Sequence, residues 1–87
     1  MSISAVAVDP RVADVKVTEK TLIVTLRDGR QISAPLSWFP RLAQADVKAK
    51  AEWELAAAGH GIHWPLIDED LSVDGLLQGS STPRLRS

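Results

Sequence analysis

At 87 residues the chain holds one small domain, whose core covers roughly 60–65% of the surface an unfolded chain exposes. An apolar fraction of 45% and a charged fraction of 24% are ordinary for a globular protein and exclude a disordered one. Ten basic and eleven acidic side chains leave a net charge of −1, without the basic excess that nucleic-acid binding uses, and the zero cysteine count removes disulfides, thiolate zinc sites and cysteine nucleophiles.

The first ten residues, Met-Ser-Ile-Ser-Ala-Val-Ala-Val-Asp-Pro, have neither the charged start nor the long apolar stretch of a signal peptide. No apolar run approaches the ~20 residues that span a bilayer. A soluble, cytoplasmic protein is expected, with residues 1–10 as an N-terminal arm and 11–79 as a single domain. Arg11 to Val17 places Ala13, Val15 and Val17 at period two, which predicts a short half-buried strand. Thr21 to Leu26 is β-branched and aliphatic, with Leu22, Val24 and Leu26 on one face of a second strand.

Arg27-Asp28-Gly29-Arg30 then reads as a hairpin turn. A two-residue loop would set Arg27 opposite Arg30. A three-residue loop with Gly29 left-handed instead sets Leu26 opposite Arg30, Val24 opposite Ile32 and Leu22 opposite Ala34, which aligns the apolar faces. The second register is expected. Pro35 ends the ladder because it cannot donate to it. Ser37 is placed to cap a short turn through Leu42, with Trp38, Phe39 and Leu42 as a lid on the core.

Asp46 is the expected N-cap of a principal helix, Val47 to Ala58, stopped by Gly59. At about 100° per residue, Val47, Ala51, Leu55 and Ala58 share one stripe, while Trp53 lies about 160° from Leu55 beside Ala49, Ala56 and Ala57. Either the last segment folds over that flank, or the helix presents an apolar patch to a partner. Lys48–Glu52 and Lys50–Glu54 are spaced to mark the water face. Ile62-His63-Trp64 forms a short strand that Pro65 stops, Leu66, Ile67 and Leu71 return to the core, and Ser72 caps a last helix from Val73 to Gln78, ended by Gly79. Residues 80–87 have the composition of a flexible tail. The fold expected is α+β: a three-stranded, mainly antiparallel sheet, one principal helix, and a C-terminal closing segment with a short helix.

Leu36-Ser37-Trp38-Phe39-Pro40-Arg41-Leu42, Trp53-Glu54-Leu55, the run Gly61 to Val73, and Gly75-Leu76-Leu77-Gln78-Gly79 resemble the bacterial family of domain of unknown function 2442. The resemblance spans about Val12 to Gly79. It implies a small α+β fold with an N-terminal antiparallel sheet. Some relatives add a helix-turn-helix domain, for which this chain is too short. Relatives are often encoded beside another small protein, an arrangement that looks like a toxin–antitoxin or partner pair. The family implies no reaction, cofactor or catalytic residue.

Asp68-Glu69-Asp70 with His60 and His63 is the cluster with metal-ligating residue types. On an extended segment Asp68 and Asp70 share a face, but the histidines lie across a proline and no Glu-x-x-His or calcium-loop spacing is present. The bland alternative is a solvated loop. No serine lies in Gly-x-Ser-x-Gly, and Gly59-His60-Gly61 is too short for a phosphate loop. Three tryptophans in so small a chain are a large aromatic content, and tryptophan is enriched where proteins bind one another. A non-enzymatic interaction module without a cofactor follows as the expected function, with Trp53, Ala49, Ala56 and Ala57 as candidate partner-binding residues and a small protein, or a second copy of the chain, as partner. The competing readings are a metal-dependent or enzymatic site at Asp68, Asp70 and His63, and a nucleic-acid-binding regulator, which the near-neutral charge disfavours.

Overall fold

The hairpin register sets the first layer. Strands β1 (Val12–Val17), β2 (Thr21–Leu26) and β3 (Gln31–Pro35) form an antiparallel sheet in that order. Residues 8–78 are described by the computed structural model; residues 1–7 of the arm, Gly79 as helix stop and the 80–87 tail lie outside the described residues. Leu22 lies opposite Ala34 and Val24 opposite Ile32, as the apolar-face argument requires. Leu26 N donates to Arg30 O at 2.8 Å, and Gly29 has φ +97°. A side chain there would meet the left-handed penalty that glycine avoids.

Asp28 locks this turn. Its carboxylate accepts from Arg30 N at 3.1 Å, from Arg30 Nε at 2.9 Å, and from Asp9 N at 3.0 Å. The Arg30 guanidinium hydrogen bond is the main cause that holds the Asp28 carboxyl at about 2. The carboxyl's ordinary value is 3.8, so this contribution to stability is present above 3.8 and is lost as pH falls towards about 2.

β1 departs from the expected alternation. A bulge between Val12 and Asp14 inserts one residue, so Val12 and Val15 are buried and Ala13 is exposed. After β3, a 3-10 turn at Leu36–Trp38 leads into α1 (Pro40–Ala43). Phe39, not Ser37, stands at its N-terminus, and no side-chain cap is made. Pro40 at the first position removes one of the donors a cap would serve. Leu36, Phe39 and Leu42 are buried, whereas Trp38 keeps 37% of its surface exposed and meets Phe39 edge to face at 6.4 Å.

Asp46 does cap the next helix: its Oδ1 accepts from Ala49 N at 2.8 Å. The helix itself is a single short segment, α2 (Val47–Ala51), and the expected continuation to Ala58 is replaced by β4 (Glu54–Ala56). Lys48–Glu52 pairs at 3.4 Å as spaced, but Glu54 is already in a strand. A left-handed turn through Ala57, Ala58 and Gly59 leads to β5 (Gly61–Trp64), and β6 (Glu69–Ser72) follows. These strands make a second antiparallel sheet, order β4-β5-β6. The chain closes with α3 (Val73–Gln78), where Ser72 Oγ accepts from Gly75 N at 2.9 Å as expected.

The α+β class therefore stands, with two sheets in place of one and no long helix among the described residues. The physical reason is a competition. Ala, Leu and Glu favour a helix over 52–58 by only tenths of a kcal/mol per residue, and an isolated helix under about 12 residues is marginal. Pairing Leu55 with Ile62 and Ala56 with Gly61 completes the ladder on β5, whose Ile62 and Trp64 are wholly buried. The unpaired donors and acceptors of a buried strand cost more than the lost propensity.

One core joins both sheets. Val12, Val15, Leu22, Val24 and Leu26 face Ile62 and Trp64, while Phe39, Leu42, Val73 and Leu76 fill the ends. Among the described residues, no helix is long and apolar enough to cross a membrane.

Candidate functional site

Two surface features carry chemistry beyond packing. The first lies where α2 leans on β1. The chain leaves α2 at Glu52, whose N–H returns to Lys48 O and Ala49 O, and Trp53 falls in the short connection before β4. Trp53 is half-buried against the core and borders a groove of about 560 Å³. Val15 and Val17 of β1 form one wall, and Val47, Lys50 and Ala51 of α2 form the other. Val47, which helical winding placed on one stripe with Ala51, Leu55 and Ala58, is 83% exposed. Trp64 fixes the second wall from beneath, since its Nε1 donates to Lys50 O at 3.2 Å.

The four residues grouped by helical winding do not share this surface. Trp53 lines the groove. Ala49 is buried under α2, Ala56 lies half-buried in β4, and Ala57 sits exposed in the left-handed turn. The grouping presumed a helix continuing past Glu52, and the chain changes direction there. Sequence reasoning missed Val47, Val15 and Val17 as groove residues. The available signal was the Asp46 cap, which places Val47 at the first position of α2.

The second feature is on the solvent face of the second sheet. Glu54, His63 and Asp70 are cross-strand neighbours on β4, β5 and β6. His63 Nδ1 lies 2.8 Å from Asp70 Oδ1. The turn over residues 65–68, closed by Ile67 N to Trp64 O at 3.3 Å, brings Asp68 in with φ +52°. Arg41 of α1 steadies this turn by donating to Asp68 O at 2.8 Å. Ligand atoms of His63, Asp68 and Asp70 then lie within 4.8 Å of one another, and this is the one such group among the described residues. His60 is not part of it. The proline that separates the histidines from the acids in sequence belongs to the reversal that brings His63 and the acids together.

The hydrogen bond to Asp70 raises the His63 pKa above its ordinary 6.5, with the nearby Glu54 and Asp68 charges adding to it. A raised folded-state pKa means the contribution is fully present below 6.5 and is lost as pH rises through the folded value. Thermal melts in a chelator-containing buffer check this. Wild type is expected to lose stability over that window, and Asp70→Asn to lose clearly less, keeping only what the Glu54 and Asp68 charges contribute; an unchanged slope in the variant would refute the pairing.

The comparisons with known proteins concern the fold and the family. A protein of unknown function from Rhodospirillum rubrum has the same fold with a TM-score of 0.73 and 28% identity, over 85% of this chain and 92% of that one. An uncharacterized protein from Chromobacterium violaceum superposes with a TM-score of 0.71 at 22% identity, over 83% of this chain and 68% of that one, and supports the fold alone. No curated protein matches. The family described as "Protein of unknown function (DUF2442)" matches residues 12–82. With the match covering the whole two-sheet unit, the chain belongs to the DUF2442 family.

Proposed function

We propose that the chain is a non-enzymatic protein-interaction module, acting in the cytoplasm as one member of a bacterial pair of the toxin–antitoxin kind. The observation that supports this is the apolar groove at Trp53, where a half-buried tryptophan and a fully presented Val47 line a concave surface beside a sheet edge. Tryptophan in such a setting is the residue type that dominates binding energy. An extended segment or an apolar side chain of the partner fills the groove. The test is co-purification of the neighbouring gene's product with wild type and with Trp53→Ala. A loss of about thirtyfold in affinity, the weight of a typical hot-spot residue, is expected at a temperature below the melting transition of the variant, which the packing lost against the core lowers. Equal affinity for both chains would remove Trp53 from the interface.

The His63, Asp68 and Asp70 cluster supports a second reading, a divalent-cation site of one imidazole and two carboxylates. These groups have the donor types for zinc. If the site binds the ion, added zinc raises the melting temperature of wild type and not of His63→Ala. Identical melts with zinc and with chelator would discard this reading.

A further inference from the structure

We infer that the outer edge of β1 pairs with the same edge of a second copy of this chain, about a two-fold axis at Val15. The inference rests on the groove being a contact surface and names its occupant. β1 lies at the end of its sheet, and among the described residues no strand pairs with its outer side. Thr18 N donates inward to Thr21 O at 2.8 Å, and alternation along an antiparallel ladder turns Lys16 and Asp14 inward with it. The N–H and C=O groups of Val15 and Val17 therefore point to the free edge.

That parity restricts the register of a symmetric pair. An axis at Asp14 or Lys16 would set that residue against its own copy in the closely spaced, non-hydrogen-bonded pair and so oppose two like charges. An axis at Val15 lets the two Val15 residues exchange backbone hydrogen bonds and sets Asp14 of each copy opposite Lys16 of the other, twice. Asp14 and Lys16 are both exposed, and neither has an ion-pair partner among the described residues. They fall at the closely spaced positions between hydrogen-bonded pairs, where side chains across strands lie nearest. The bulge before Asp14 keeps this ladder short, and a short ribbon is weak alone. The groove supplies the rest, because it opens between β1 and α2 and the incoming strand would lie against Val47 and Trp53. The product is one sheet of six strands running through the axis.

Sedimentation velocity of the full chain, from micromolar to near-millimolar concentration, tests this. Wild type is expected to dimerise. Asp14→Lys and Lys16→Asp are each expected to weaken the dimer at least about tenfold, because each replaces two attractive pairs by two repulsive ones. An equimolar mixture of the two variants is expected to form a dimer again, since every cross-strand pair is then of opposite sign. A wild type that stays monomeric, a dimer indifferent to Lys16→Asp, or a mixture that stays dissociated while both variants keep the wild-type melting curve would each overturn the proposal. Trp53→Ala separates the two readings. If the charge variants behave as stated and Trp53→Ala dimerises like wild type, the β1 register is supported and the groove reading fails on its own.

Discussion

Replacing Trp64 by alanine is expected to cost about 3–5 kcal/mol and to leave the chain largely unfolded at physiological temperature. Trp64 is 0% exposed and is the largest of the fully buried side chains. It lies on β5 next to Ile62 on the same inward face, so it touches the first sheet while belonging to the second. Its indole also takes the carbonyl of Lys50 near the end of α2. The substitution removes the apolar filling between the sheets and the indole hydrogen bond to that carbonyl in one step. For a domain of this size the loss corresponds to a fall of roughly 15–30 °C in melting temperature. Trp64→Phe separates the terms: it keeps most of the volume, loses the donor, and is expected to cost about 1–3 kcal/mol. Circular dichroism melts of the three chains give the ranking. An alanine variant as stable as the phenylalanine variant would show that the two sheets do not share one core.

Gly61→Val is the second substitution of large expected effect, at about 1–3 kcal/mol in urea-denaturation stability. Gly61 is buried in β5, the central strand of its sheet, opposite Ala56 on one side and Ser72 on the other. A Cβ placed there would meet Leu71 O at 3.3 Å and Ala56 O at 3.6 Å. Both contacts are backbone carbonyls of paired strands, which yield less than a side chain would. Alanine at this position adds the same Cβ without the branch, and its smaller unfolded-chain entropy returns about 0.4–1 kcal/mol, so it is expected to fall between glycine and valine. A valine chain with the wild-type midpoint would mean that β4 or β6 can shift away, and that the ladder is looser than its registers imply.

The first sheet was legible almost residue by residue. Leu22, Val24 and Leu26 alternate without interruption, and only one of two turn geometries pairs them with Ala34 and Ile32 while giving Gly29 its positive φ. Local chemistry also placed the caps: Asp46 and Ser72 each bond the N–H three residues on, as short oxygen-bearing side chains do. Ser37 failed as a cap because Phe39 and Pro40 already begin the helix in a conformation that needs none. Ala13 was assigned to the wrong face because a bulge leaves no local composition signal when neither neighbour is glycine.

The 52–58 segment shows the other limit. Its Glu-Trp-Glu-Leu-Ala-Ala-Ala composition favours a helix locally, and nothing nearby announces the positive φ of Ala57 and Ala58. The second sheet exists because β5 must be paired on both sides to bury Ile62 and Trp64. That demand comes from residues several positions away and from the sheet beneath them. The candidate sites moved with it: Trp53 left a helix flank for a groove wall, and His63 met Asp68 and Asp70 through a turn that extended-strand geometry did not foresee.

Alternating hydrophobicity, capping residues and one Asp-Gly turn thus determined by themselves the first hairpin, the starts of α2 and α3, the strand at Ile62-His63-Trp64 and the α+β class. Tertiary structure alone decided where α2 stops, that a second sheet forms, and which side chains line the groove and the acidic face. The division follows the range of the forces. Caps, turns and strand alternation act over a few residues, while the choice between helix and strand at 52–58 rests on tenths of a kcal/mol per residue and yields to a buried strand in need of partners.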